Sequence, residues 1–468
     1  MFEKEERLLA EMKDEKEKES MMVPDEALDS AIRGGIRAGE RRRKNQYRLR
    51  AASAAVIAAA AVLLLTLWGG GSPPVPLPEL AQGPYPPLTG YDLAGDITAQ
   101  TANRHGLIQP VNQSEASGEY TVTVHGVLTG PQRLQVFYTL ENHTGRKATV
   151  LREKLKQPDT GKKLSYASST GGDPLVETGT SARQVNYYFE ESTPIPETVT
   201  LDIAVAPYST NTVYSTKSPD EKVMEMDLKL DLETMRRFTS TVPLNRVIEI
   251  QGQTMTLKEA VLSPAGITVK ANIPKQNSMK VSGLFQPNIE SRKDGSSAVQ
   301  LGNSLTWLPG AEGDMTYFFE SNALDHPDGL VLKAGGMQAV NRGDMQVVVD
   351  VERRKVLSSP ENRIQFGDYT KSKDKYTLSL KYEERDFNHG AFSIDSLGFT
   401  DGKGKRHTFK EQEGSRSTSE STGVDGYWST TLYLYLKPED YPQPLTFDVS
   451  SFPGVIEQAI EVPIPYRD

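Results

Sequence analysis

From Ala51 to Trp68 the chain runs 18 residues without a charge, and only Ser53 and Thr66 among them are polar. A helix of that length rises ~1.5 Å per residue and reaches ~27 Å, close to the ~30 Å hydrocarbon core of a bilayer. A buried helix of a soluble protein is seldom apolar on every face. Here the run also follows a cationic block: Arg33, Arg37, Arg41, Arg42, Arg43, Lys44, Arg48 and Arg50 stand against the single acid Glu40. No Lys or Arg appears after the run until Arg104. The positive-inside rule then places the N-terminus in the cytoplasm and the C-terminus outside, as a single-pass protein of the cell membrane. Arg41, Arg42, Arg43, Lys44, Arg48 and Arg50 are the topology signal, and they also suit anionic lipid. A cleaved signal peptide is the main competitor. Its charged region is normally a few residues, whereas 50 residues precede this run, and Trp68-Gly-Gly-Gly-Ser-Pro73 offers no small-x-small cleavage site.

The 468 residues exceed one ordinary domain, and 37% hydrophobic with 25% charged residues is a globular composition. There is no cysteine, which excludes disulfide scaffolds, thiolate metal sites and cysteine nucleophiles together. The net charge is −9. Residues 1–50 hold 13 basic and 12 acidic side chains, so everything after them sums to −10. With the cationic block serving topology, no direct contact with nucleic acid is expected.

After Gly69-Gly70-Gly71, seven prolines fall within residues 73–87, a density that holds a polyproline II spacer. From Ser117 onward the hydrophobic period becomes two. Glu119–Val124, Met224–Leu232, Thr254–Leu257, Met345–Val351 and Tyr376–Tyr382 all alternate apolar with polar, as half-buried strands do. An aromatic strand followed by Pro-x-x-apolar-x-apolar also recurs three times. The pairs are Tyr187–Glu190 with Pro196–Leu201, Tyr317–Glu320 with Pro327–Leu332, and Tyr433–Leu436 with Pro442–Phe447. Their spacings of 130 and 116 residues match one sandwich domain each. The expected fold class is mainly β: tandem immunoglobulin-like β-sandwiches outside the membrane, one transmembrane helix and a short helical cytoplasmic tail. The expected divisions are a tail over 1–50, a span over 51–68, a spacer over 69–114, and sandwiches over 115–238, 242–356 and 362–468.

No catalytic signature accompanies this plan. The six histidines are scattered, and H-E-x-x-H, G-x-S-x-G, Walker and EF-hand patterns are missing, so no enzyme, cofactor or metal is expected. Ser372-Lys-Asp-Lys375 satisfies S-x-x-K but reads as a hairpin turn. Asp325-His-Pro-Asp-Gly329 resembles a metal loop, yet its Pro and Gly mark a turn. Tyr427, Tyr433 and Tyr435 share one strand face, where they stabilise a sheet or, on the sharper reading, stack against sugar rings.

In the tail, Val23-Pro24-Asp25-Glu26 begins a helix, with Pro in the first turn and acids near the positive end of the dipole. Leu28, Ile32 and Ile36 come next at i, i+4 and i+8. The stripe is too narrow for a core of its own. It suits burial by a partner protein or, equally, a membrane-surface helix leading into the span. The segment Val23–Gly39, the basic run and the single span resemble a Gram-positive family of membrane proteins with a domain of unknown function, regarded as anti-sigma factors or their relatives. Ile248–Leu257 and Ser263–Ile267 resemble that family's immunoglobulin-like ectodomain. The resemblance implies a sigma factor as partner of the tail, at Leu28, Ile32 and Ile36, and an ectodomain that senses an envelope signal, ligand or protein. With no cysteine and no histidine in the tail, the zinc module of better-known anti-sigma factors has no ligands here. The alternative is an envelope-binding or structural surface protein whose tail only anchors it.

Overall fold

The computed structural model describes residues 82–171, 174–209, 217–293, 298–309, 313–384, 392–395, 397–409, 415–421 and 428–466. All belong to the unit that runs from Pro74 to Asp468. The tail with its stripe Leu28, Ile32 and Ile36, the cationic block and the span over Ala51–Trp68 lie outside the described residues. Among the described residues no helix is long and apolar enough to cross a membrane.

Strands occupy 58% of the structure and helices 7%, so the protein is mainly β, with several antiparallel sheets. The sheets pack in pairs around three hydrophobic cores. In the first module one sheet orders its strands Gln109–Ser117, Tyr120–Thr129, Arg133–Asn142, Gly179–Tyr188 and Ala167–Gly171. The other orders Leu175–Val176, Ala148–Lys156, Thr198–Pro207 and Lys222–Lys229. Alternation in sequence becomes alternation in burial: Val122 and Val124 point inward from the first sheet, Met224, Met226 and Leu228 from the second.

The threefold repeat has a structural meaning. In each module the aromatic strand lies in one sheet and the Pro-x-x-apolar-x-apolar strand begins the crossing into the other. The apolar pairs after the prolines, Val199 with Leu201, Leu330 with Leu332 and Leu445 with Phe447, are all buried. Each pair faces the inside of its own core. The aromatic strands are less alike. Tyr187 and Tyr317 are buried, whereas in Trp428–Leu436 it is Leu432, Leu434 and Leu436 that enter the core.

Two boundaries differ from the sequence expectation. Gln346–Asp350, expected in the second sandwich, and Lys355–Ser358, which straddles its expected end at 356, pair within the third, where Val347 and Val349 join its core. The last strand, Val455–Ile464, leaves the third module and pairs with Gly329–Asn341 of the second, from Leu330↔Ile464 to Gln338↔Val455. The third module is therefore inserted into the second between its last two strands. Periodicity shows that a segment is a strand; it carries no information on which sheet the strand joins.

The expected spacer is also shorter than 69–114. Residues 82–108 pack on the modules and contain a helix, α1 (Ile97–Arg104), while the first strand starts at Gln109. Asp96 caps α1 by accepting from Ala99 N at 2.8 Å. Beyond its C-terminus the chain turns at Gly106 (φ 66°), where a Cβ would meet the Tyr85 carbonyl at 2.5 Å. A second short helix, α2 (Leu232–Arg237), links the first two modules and is capped by Asp231.

Candidate functional site: the junction helix and its two clefts

One face of α1 consists of small side chains, Thr98, Ala99, Thr101 and Ala102, all buried. Small side chains let other chains approach the helix backbone closely. Leu128 and Phe137 reach it from the first module, Phe238 from the link, and Ala265 and Leu324 from the second module. The first two modules thus meet on this helix, which lies within the stretch expected to be spacer.

Both ends of α1 are tied by polar groups from both modules or from the second. At the N-terminal end, Asp96 Oδ2 accepts from Gln135 Nε2 at 2.9 Å and Gln184 Nε2 at 2.7 Å, both of the first module. Glu320 of the second module accepts from Ile97 N at 3.3 Å and from Gly302 N at 3.2 Å. Burial, and the neighbouring Asp96 carboxylate, push the Glu320 carboxyl above the usual carboxylate range. Beside them Arg133, 5% exposed, donates to Asn186 Oδ1 and, across the module boundary, to the Ala265 carbonyl at 2.9 Å. Asp96, Arg133, Gln184, Asn186 and Glu320 line an open polar cleft of about 440 Å³.

At the other end, Arg104 Nη2 meets Asp325 Oδ2 at 2.5 Å and His105 Nε2 meets Asp325 Oδ1 at 2.9 Å. Thr101 Oγ1 lies 3.4 Å from the same Oδ2. In the first turn of the helix, Thr98 Oγ1 accepts from Ser321 N at 2.9 Å. A second cleft, about 400 Å³, opens here between the end of α1, the hairpin that includes Ser291, Lys293 and Val299, and the turn Asn322–Pro327. Its volume lies within the range of small-molecule sites.

Of the motifs that stand out in the sequence, Asp325–Gly329 is a turn: a 3-10 segment, Ala323–Asp325, then His326 in the left-handed region at φ 49°. Its acid anchors α1, and among the described residues no group of three or more His, Cys, Asp or Glu could hold a metal ion. Ser372 and Lys375 close the hairpin between Ile364–Lys371 and Tyr376–Glu384, with Lys375 N donating to Ser372 Oγ at 3.2 Å. The Lys375 ammonium sits 4.4 Å from the Tyr435 ring centroid, a structural cation–π contact on the strand face that sugar stacking would need. Tyr427 lies outside the described residues. The clefts at α1 are not legible in the sequence, because Arg104 and His105 stand 221 and 220 positions from Asp325. The only trace there is the D-x-x-x pattern of an N-cap at Asp96, in a segment whose nearby prolines point to a spacer.

No protein-family model and no curated protein matches the chain. Among solved structures, the crystal structure of a conserved domain protein from Bacillus anthracis resembles it at 12% identity and a TM-score of 0.35, over 57% of this chain and 89% of that one. A likeness so loose carries no argument.

Proposed function

We propose that the chain is a membrane-anchored, non-catalytic regulator: the N-terminal tail holds an extracytoplasmic-function sigma factor at the cytoplasmic face, and immunoglobulin-like modules outside sense an envelope signal. The observation that carries this reading is the charge asymmetry about Ala51–Trp68, eight cations before it in residues 33–50 and none after it until Arg104. A second feature supports it. The chain enters the ectodomain through the segment that the first two modules clasp, so a ligand that shifts their packing acts on the part of the ectodomain nearest the span in sequence.

The test is Ile32→Asp in the full-length protein. If Leu28, Ile32 and Ile36 are the face that a sigma factor buries, the variant loses ~1.5–3 kcal/mol of apolar burial, plus the cost of a desolvated carboxylate. Binding should weaken at least tenfold in a pull-down, and sigma-dependent transcription should rise while the protein stays in the membrane fraction. Arg42→Ala should change little. Unchanged transcription with normal membrane levels would leave the anchored surface-protein reading ahead.

A further inference from the structure

The segment that precedes α1 lies against the first module as a strap. Tyr85 and Tyr91 fasten it through their hydroxyls, which donate to Asp231 Oδ2 and to the Arg183 carbonyl, each at 2.5 Å. Leu88 N donates to Asn103 Oδ1 at 2.6 Å, and Leu88 and Tyr91 pack on the small core that holds Leu93, Ile108, Leu128 and Phe137. A Cβ at Gly126 would stand 2.8 Å from Ile108 Cγ2 and 3.6 Å from Leu88 Cδ1, so the absent side chain is what lets the segment lie close.

Beside Gly126 stands His125, the extra residue of a β-bulge: pairing steps from Val124↔Tyr138 to Gly126↔Phe137. Val122, Val124 and Val127 enter the core of the module, and His125 does not. Its ring meets Tyr91 of the strap instead, at 5.7 Å between centroids, and its Nε2 lies 3.0 Å from Thr139 Oγ1. Tyr91 also stands edge-on to Phe137 at 5.7 Å. Among the described residues no carboxylate hydrogen-bonds the imidazole. The charges that act on Tyr91 are Arg183, Asp92 and Asp96, and Asp96 is committed to Gln135 and Gln184. An imidazolium formed beneath the strap therefore loses water without gaining an ion pair. Burial accordingly holds the His125 imidazole below its ordinary value of 6.5.

We propose that residues 85–93 form an acid-released strap: a proton on His125 lifts Tyr91 from the sheet and frees the segment that leads back toward Ala51–Trp68. The strapped state holds that proton less tightly than the released state, whose imidazole is open to water. The contribution of the contact is thus fully present above pH 6.5 and is lost as pH falls through the lower strapped value. Glu320, at the N-terminal end of α1, works in the opposite sense, since burial makes its carboxyl favour the proton. Asp231 keeps its charge as the Tyr85 acceptor: despite burial, hydrogen bonds from Thr234 and Tyr85 hold its carboxyl below the usual 3.8. The inference goes beyond the regulator reading and stands whether or not the tail binds a sigma factor.

The experiment follows hydrogen exchange of the full-length protein by mass spectrometry at about pH 7.5 and about pH 5.5, either side of the ordinary imidazole value. Each rate is divided by the intrinsic rate at that pH. Protection over residues 83–93 should fall at least roughly threefold at the lower pH, while Arg133–Asn142 and Gly179–Tyr188 keep theirs. His125→Gln, which can still bond Thr139 but does not titrate, should hold the strap at both pH values. Tyr91→Ala should leave it exchanging freely at both. It should also move the His125 titration midpoint, read by NMR of histidine-labelled protein, up toward 6.5. Equal protection of the wild-type strap at the two pH values would overturn the proposal. So would an acid-induced loss that persists in His125→Gln, or a His125 midpoint that Tyr91→Ala leaves where it was.

Discussion

Truncation after Gly454 removes the strand Val455–Ile464 and with it Ile456, Ile460, Val462, Ile464 and Tyr466 from the core of the second module. All five are 7% exposed or less. Burying one such side chain contributes ~1.5–3 kcal/mol, so their joint loss comes to roughly 7–15 kcal/mol. That equals the entire stability of an ordinary domain, about 5–15 kcal/mol. Gly329–Asn341 also loses its ladder on one side, and the Tyr466 hydroxyl no longer reaches the Pro327 carbonyl. The second module should therefore unfold, although the cut lies 113 residues beyond the end of its preceding strand at Asn341. The first module has its own core and should survive. Hydrogen exchange followed by mass spectrometry reads this directly. Protection should vanish over Gln253–Ser263 and Gly266–Asn272 but persist over Arg133–Asn142 and Gly179–Tyr188. Ile460→Asp in the full chain should reproduce part of the effect without shortening it. Native protection of the second module in the truncated protein would refute the insertion topology as a source of stability, and would return residues 362–468 to the status of a separable tail domain.

Arg133→Ala should destabilise the first two modules by on the order of 3 kcal/mol, because it strips charge-assisted hydrogen bonds from Asn186 and the Ala265 carbonyl in a buried place. Calorimetry should show the transitions of the first two modules separating, and Arg133→Lys should recover only part of the loss, since an ammonium cannot replace the fork. Glu320 gives a pH dependence whose sign is set by its raised carboxyl: the folded state holds the proton more tightly than the unfolded chain. Its contribution to stability is therefore fully present below the ordinary value of 4.5 and is lost as pH rises through the higher folded value. Glu320→Gln should flatten that part of the melting-temperature profile; an unchanged slope would mean another group sets it.

Sequence alone determined the features that depend on local spacing. The alternation around Val122–Val124 and Met224–Leu228 specified strands and their buried faces, since successive side chains of a strand point to opposite sides. The triple repeat likewise marked three units of about sandwich size, and the turns at Ser372–Lys375 and Asp325–Gly329 were legible from residue type. What local spacing cannot encode is partnership between distant segments. Val455–Ile464 alternates no differently from a strand of the third module, and only its register against Leu330–Gln338 assigns it to the second. The clefts at α1 belong to the same class. Asp96, Glu320 and Arg133 acquire a shared environment, and Arg104, His105 and Asp325 a shared charge balance, only because two modules close on an eight-residue helix. That closure is driven by burial of Ala99, Ala102, Phe137 and Ala265 against one another, a non-directional force that acts between surfaces and leaves no periodic mark in the chain.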